Sequence, residues 1–549
     1  MAYEYVIVGG GAAGCVLANR LTENADTSVL LLEAGRADHP WDLFVQMPAA
    51  MVFAIGSRFY DWRYESQPEP HLHGRRIYQA KGKLLGGSTS INGMIFQRGN
   101  AMDFERWAAD PGMESWDYAH CLPYFKRMEA AQNADAWRND HGPLLLERGP
   151  VANPLFAAFF QAVQEAGYPL TTDTNGYRQE GFGAFDRTIR RGRRVNAARA
   201  YLHPIERRDN LDVRCGTFVN RVLFDGPRAV GVELTHRGRV ERIRAEEIIM
   251  CGGAISSPQI LQLSGVGAAA ELERLGIRAV HDLPGVGENL QDHLEVYVQH
   301  ASKQPVSVAP ALKPSKRPEI GLRWLLSRTG PAATNHFEAG GFIRSNDEVT
   351  YPNVMFHFLP IAVSYDGKTP PGHSYQVNVG PTLSDARGSV KITSTDPRRH
   401  PAIRFNYLST EQDRREWVET IRCARQIFSQ AAFEQFDGGE ISPGPAIQSD
   451  AEILDWVART GEATPHAACS CRMGTGNQDV LDPETMRVHG LDGIRVVDAS
   501  AMPYVTNGNI WAPVTMLSEK AADLIIGNTP LAPDPAAFYR HGDSVPSAT

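Results

Sequence analysis

The chain opens on an apolar run, Tyr5-Val6-Ile7-Val8, which breaks into Gly9-Gly10-Gly11-Ala12-Ala13-Gly14 and resumes as Val16, Leu17, Ala18 and Leu21. The unbroken run predicts a buried strand, and the spacing after the glycines predicts a helix with an apolar side. A second run, Ser28-Val29-Leu30-Leu31-Leu32, ends in Glu33 and predicts another buried strand. Far downstream the pattern changes to alternation in Val354-Met355-Phe356-His357-Phe358 and Tyr375-Gln376-Val377-Asn378-Val379. Alternation predicts an antiparallel sheet. No fixed-period repeat is visible, and periodicity is lost from Gly527, where Asn528-Thr529-Pro530 and Pro533-Asp534-Pro535 predict a loose terminus.

Size and charge narrow the classes. At 549 residues the chain exceeds the usual domain length several times, so at least two domains are expected. Charged residues make up 21%, with both signs mixed and a net charge of −8, which offers no basic field to hold nucleic acid. Apolar runs such as Val29 to Leu32 or Ile248 to Met250 fall far short of the roughly 20 residues that span a bilayer. No basic, then apolar, leader precedes the first strand, and a cytoplasmic location is expected. Peripheral attachment to a membrane surface and homo-oligomerisation are both compatible with the sequence. The seven cysteines are odd in number, scattered and sparse, so free thiols are expected. Cys469 and Cys471 flank one serine but lack a second Cys or His pair at zinc spacing, and no metal site is expected.

The glycine segment carries chemistry because of its context. Between a strand and a helix, Gly9 permits a tight turn, Gly11 lets backbone amides approach a pyrophosphate, and Gly14 lets helix and strand pack closely. Glu33 ends the next strand about twenty residues on, where a carboxylate accepts hydrogen bonds from ribose hydroxyls and disfavours a 2′-phosphate. These features predict a dinucleotide and disfavour NADP; the loop by itself leaves FAD and NAD open.

Several separated segments then resemble one family. Gly82-Lys83-Leu84-Leu85-Gly86-Gly87-Ser88-Thr89-Ser90-Ile91-Asn92-Gly93 is similar to the first signature of the glucose-methanol-choline oxidoreductases. Gly253-Ala254-Ile255-Ser256-Ser257-Pro258-Gln259-Ile260-Leu261-Gln262-Leu263-Ser264-Gly265-Val266-Gly267 matches their second signature. Tyr60-Asp61-Trp62, the stretch Pro284-Gly285-Val286-Gly287-Glu288-Asn289-Leu290-Gln291-Asp292-His293, and Val496-Val497-Asp498-Ala499-Ser500 agree. The resemblance implies an α/β fold: a Rossmann-like FAD-binding domain with an interleaved substrate-binding domain, built on an antiparallel sheet that roofs the flavin. It divides the chain into 1–155, 196–298 and 478–530 for FAD, 156–195 and 299–477 for substrate, and a loose tail 531–549. It also implies FAD contacts from Gly9, Gly11, Ala12, Ala13, Gly14, Glu33 and Ala34, and from Trp62, Gly86, Gly87, Ser90, Asn92, Gly93 and Met94. Val219, Gly253, Asp498, Ala499, Asn509 and Ile510 complete the set. Some relatives tether FAD through a histidine immediately before the signature asparagine; Ile91 stands there and offers no nucleophile, so non-covalent FAD is expected.

Oxidising an alcohol needs a proton acceptor beside the flavin, and neutral imidazole suits that task. Of seventeen histidines, His466 stands in Thr464-Pro465-His466-Ala467-Ala468-Cys469-Ser470-Cys471-Arg472-Met473-Gly474, similar to the family's catalytic-histidine segment but departing at Ala467, Cys469 and Ser470. The family's second catalytic position, His or Asn, maps to Asn509, and Trp511 replaces a further asparagine and is expected to shape the pocket. The stretches Asn335 to Arg344, Phe356 to Pro360 and Glu440 to Gly444 resemble the choline-dehydrogenase-like branch. A quaternary ammonium is held by aromatic faces and a carboxylate; Glu338 falls where a choline-oxidising relative places its glutamate, with Phe337 and Phe358 as aromatic neighbours. Choline is the leading substrate expectation, with an uncharged aliphatic or polyether alcohol, or a lyase with structural FAD, as alternatives. No motif selects oxygen, quinone or another carrier as electron acceptor.

Overall fold

The computed structural model describes residues 3–363 and 369–543. Tyr3–Val8 lies inside a seven-stranded sheet, between Val29–Leu32 and Arg239–Met250. The three run parallel, with Val6 opposite both Leu30 and Ile248, and all three of those side chains are fully buried. Parallel neighbours cannot be joined by a hairpin, so the chain crosses over through the helix Ala12–Leu21. Leu211–Arg214 and Ile494–Val496 add further parallel strands, and Thr217–Asp225 and Arg228–His236 continue the sheet as an antiparallel meander. The C-terminal helix Trp511–Ile526 packs against Ala12–Leu21 and is buried at every residue from Trp511 to Asp523. A helix enclosed all round must pair its charges: Glu519 and Asp523 meet Arg127 at 2.8 and 2.9 Å.

The second sheet also has seven strands. Asp437–Ser442, Leu294–Ser302, Ser374–Pro381, Val354–Leu359, Ala339–Ile343 and Gly181–Ala184 follow one another in space, all antiparallel, as the alternating pattern predicts. Period-two geometry gives the two faces different work. Phe358 faces the helix Pro154–Glu165, stacking on Phe159 with centroids 4.3 Å apart, whereas His357 and Asn378, paired across neighbouring strands, face the interior of the molecule. Residues 528–543 form no helix or strand but are docked. Asp534 pairs with Lys126 at 3.0 Å, Trp137 Nε1 donates to the Ala537 carbonyl at 2.7 Å, and the ring of Phe538 meets that of Tyr118 at 5.3 Å. The end of the segment expected to be loose, 544–549, lies outside the described residues. All seven cysteines are free thiols.

Candidate active site

The first glycine loop is held by contacts that only glycine allows. Gly9 has φ +115°, and a Cβ there would stand 2.3 Å from the Cys251 carbonyl oxygen; a Cβ on Gly14 would stand 1.9 Å from the Gly9 oxygen. Gly11 is different: the nearest atom to its Cβ position is the Gly87 Cα, at 4.0 Å. Gly87, at φ +55°, turns its missing side chain toward Gly11, and the Gly86 amide donates to the Gly10 carbonyl at 2.7 Å. The two glycine segments thus face each other across the mouth of the first helix. Glu33 accepts from the amides of Gly10 and Gly35 at 2.9 and 2.7 Å, and burial raises its carboxyl to about 7.

A single cavity runs from this loop to the underside of the second sheet. Gly9, Gly11, Ala12, Ala13, Glu33, Ala34 and Val219 line one end, Trp62, Gly87, Asn92, Gly93, Met94 and Gly253 the middle, and His466, Asn509, Ile510, Trp511 and Phe337 the other. Asp498 and Ala499 also line it. Asp498 is already satisfied within the protein: Oδ2 accepts from Gly253 N at 2.8 Å and Ser257 Oγ at 2.6 Å, fixing the start of the helix Gly253–Leu263.

The end under the second sheet holds two imidazoles in hydrogen-bond contact. His466 Nδ1 lies 3.0 Å from His293 Nδ1, and His293 Nε2 lies 3.0 Å from the Thr382 carbonyl oxygen. A carbonyl only accepts, so His293 carries its proton on Nε2 and offers a lone pair at Nδ1. His466 therefore donates from Nδ1, and its Nε2 is a lone pair that accepts from Asn509 Nδ2 at 3.1 Å. Burial, followed by His293, Lys81 and His357, pushes His466 well below the ordinary imidazole range, and burial holds His293 and His357 at about 4. Neutral rings at pH 7 are what this hydrogen-bond pattern requires. Asn509 Oδ1 and His357 Nε2 are buried, and beyond the weak influence of Asn509 on His357 neither has a close hydrogen-bond partner among the described residues. Orphaned polar atoms at a cavity lined by two glycine loops suit a bound polar ring system and substrate hydroxyl.

The loop bearing His466 is tied down on both sides. Its backbone N–H donates to Asp292 at 2.6 Å, and Lys81 Nζ donates to the Pro465 carbonyl at 2.6 Å. Lys81 lines the cavity, and burial lowers it to about 8.

Not every expected residue reaches the cavity. Gly14, Gly86 and Ser90 stand behind its lining; Ser90 Oγ donates to the Leu85 carbonyl at 2.8 Å and accepts from Asn196 Nδ2 at 2.8 Å, supporting the second glycine loop. Phe358 points to the opposite face of its strand from His357 and belongs to the core. Glu338, next to the cavity-lining Phe337, turns away: Val151 N and Thr334 Oγ1 donate to it at 3.0 and 2.9 Å, and Arg187 stands at 3.9 Å. Glu295, unlike Glu338, lines the cavity. Tyr297 Oη and Asn378 Nδ2 donate to it at 3.2 and 3.4 Å, and burial raises it to about 8. Its signal lay in the sequence, two residues after His293 at the head of the strand Leu294–Ser302, a spacing that puts both on one side of extended chain. His357 and Lys81 were likewise missed, since only the folded sheet and loop carry them to the site.

A parallel dinucleotide unit joined to an imidazole-lined pocket under an antiparallel sheet defines an oxidoreductase scaffold of the Rossmann-like class. The model of the GMC oxidoreductase family matches residues 3–295 with its N-terminal part and 384–518 with its C-terminal part. The chain belongs to the GMC oxidoreductase family. It is 58% identical over 546 residues to the oxygen-dependent choline dehydrogenase of Staphylococcus xylosus, covering 98% of both chains. It is 59% identical over 548 residues to the protein of that name from Staphylococcus haemolyticus, covering 99% of this chain and 96% of the relative. Among solved structures, pyridoxine 4-oxidase from Mesorbium loti shares 31% identity at a TM-score of 0.87, covering 96% of this chain and all of that one. Formate oxidase shares 25% at 0.90, covering 96% and 98%.

Proposed function

We propose that this protein binds FAD non-covalently and oxidises choline to its aldehyde, with molecular oxygen as the acceptor named in its relatives. The observation that carries this reading is the placing of Glu295, His466 and Asn509 on one cavity that continues to the glycine loops. The amides at the start of the helix Ala12–Leu21 would hold the diphosphate, Glu33 the adenosine ribose, and the segment Gly87 to Met94 with Asn509 and Ile510 the flavin ring. Ile91 gives no atom for a covalent tether. FAD, when bound, supplies the hydride acceptor.

The protein's own groups do the rest. Glu295, once ionised, attracts the quaternary ammonium, and Phe337 and Trp511, which line the same cavity, supply aromatic surface for it. Asn509, uncharged, orients the substrate hydroxyl toward His466 Nε2. That lone pair is placed to take the hydroxyl proton, and bound FAD would supply the acceptor for the hydride of the adjacent carbon. The imidazolium so formed keeps its Nδ1 proton on His293 and stabilises alkoxide character in the substrate. The enclosing sheet would exclude water and orient the substrate within the cavity.

The raised pKa of Glu295 favours one rival. With a proton at neutral pH this carboxyl could donate to an uncharged alcohol. Anaerobic mixing of the purified protein with choline and with a panel of uncharged alcohols, followed by admission of oxygen, separates the two. Choline should bleach the flavin band fastest, and air should restore it. An uncharged alcohol that bleaches faster refutes the choline assignment.

A further inference from the structure

Behind Asn92, in the segment that would hold the flavin ring, stands a guanidinium with no acid. Arg194 ends the hairpin of Ile189–Arg190 and Arg193–Arg194 and is 1% exposed. Arg98 and Arg138, buried to a similar depth, are paired with Glu129 at 2.5 and 2.7 Å. Arg194 meets only neutral oxygens. Its Nε donates to the Val45 carbonyl at 3.0 Å, and Nη1 donates to the Thr89 carbonyl at 3.1 Å, the Asn92 carbonyl at 2.8 Å and Asn92 Oδ1 at 2.7 Å. Nη2 is buried without a hydrogen-bond partner, and no carboxylate among the described residues forms an ion pair with this side chain.

The surroundings do not cancel the charge. Arg199 Nη1 donates to the Arg194 carbonyl at 3.3 Å, and Arg193 serves Gln46 at 2.8 Å. Asp38, which faces Arg199, is engaged by His203 and Asn196, each at 2.9 Å. Burying an unpaired cation is costly, and an apolar side chain of that volume would join hairpin and loop more stably. The charge therefore has work other than holding the two together.

Asn92 shows what that work is. Its Oδ1 also accepts from the Met94 amide at 3.1 Å, and a guanidinium only donates, so the oxygen is fixed toward Arg194 and Nδ2 is left for the cavity that Asn92 lines. When the carbon–hydrogen bond of the alcohol breaks with its electron pair, the hydroxyl proton goes to His466 Nε2 and the hydride brings one unit of negative charge into a neutral ring. A cation without a counter-charge stabilises the ring once that charge arrives.

Resting on the FAD reading above, we propose that Arg194 is a positioning residue: it turns the Asn92 amide toward the flavin ring, and its unpaired charge raises the ring's reduction potential.

The test is spectroelectrochemical titration of the flavin-loaded protein, wild type against Arg194→Met and Arg194→Lys. Arg194→Met removes the charge and should shift the reduction equilibrium toward oxidised flavin by about tenfold or more, which is about 30 mV for a two-electron couple. Arg194→Lys keeps the charge and should stay within about threefold of the wild type. An unchanged potential in folded, yellow Arg194→Met, or an equal fall in both variants, overturns the proposal and leaves the FAD reading standing. A wild-type protein that stays colourless after incubation with FAD overturns that reading, and this proposal with it. Should Arg194→Met fail to fold, Asn92→Asp decides, because it sets the missing carboxylate against the guanidinium. The flavin-free variant should then melt above the flavin-free wild type, since a buried cation gains a partner; a melting temperature at or below the wild type overturns the proposal.

Discussion

The Nδ1 atoms of His293 and His466 stand 3.0 Å apart, and the Thr382 carbonyl at the far side of His293 decides which of them carries the proton. His293 is thus a positioning residue. It holds His466, the base of the proposed reaction, in the tautomer whose lone pair faces Asn509.

If that is its work, His293→Ala lets His466 move its proton to Nε2 and lose basicity toward substrate. Anaerobic stopped-flow should show flavin reduction slowed by about 10²-fold, with choline affinity nearly unchanged. Equal losses in both quantities would point to general disorder of the pocket.

Removing the base itself should cost at least as much. His466→Ala is expected to slow reduction by about 10²-fold or more while FAD stays bound, read from the visible spectrum after gel filtration. Reduction at the wild-type rate removes His466 from the mechanism.

The two carboxylates give opposite expectations. Above about pH 8, where the carboxyl is ionised, Glu295→Gln should weaken choline binding by about 10²-fold, because a cation brought into a buried site loses its counter-charge. Glu338→Gln, whose oxygens serve Val151 and Thr334, should leave choline binding within about threefold of the wild type and show instead as lowered thermal stability. Titration of each variant with choline reads the difference directly, and the reverse ranking restores Glu338 as the cation site.

The pH profiles follow from the same groups. His466 must be neutral to accept a proton, and burial holds it well below the ordinary 6.5, so the limiting rate of reduction should be flat above about pH 6.5 and fall only in acid. Glu295 must be ionised to attract a cation and is raised to about 8 by burial, so choline affinity should increase as pH rises through about 8. Lys81, lowered to about 8, sheds a repelling charge over the same range and adds to that trend. Glu295→Gln should remove most of the rise; an affinity that declines with pH contradicts the assignment.

At the other end of the cavity, Gly14→Ala places a methyl carbon 1.9 Å from the Gly9 oxygen. Helix and strand must separate, which should cost about 1–3 kcal/mol of stability and release FAD on dilution. Differential scanning calorimetry and the flavin content of the purified variant measure the two effects.

Local pattern carried much of this far. The unbroken run Tyr5–Val8, the glycine spacing and the acid at Glu33 give a parallel dinucleotide unit by themselves, since a strand buried on both faces and a helix that starts on glycine leave few alternatives. His466 and Asn509 were legible through their segments and do meet, at 3.1 Å. Glu338 and Phe358 were misplaced, because adjacent residues of an extended chain point to opposite faces and the sequence did not say which face was which.

What the sequence alone determined was therefore local: a glycine turn between strand and helix, the segments that carry His466 and Asn509, an isoleucine where a tether would need a nucleophile, and a tail too rich in turn residues to be helical. Only the tertiary structure decided that Glu295, His357 and Lys81 share a cavity with His466, that the tautomer of His466 is set by Thr382 through His293, and that Arg194 is buried without an acid behind Asn92. Those outcomes depend on sheet register and on contacts between segments hundreds of residues apart, and a residue's neighbours in the chain do not record which face of a strand or helix the rest of the molecule will cover.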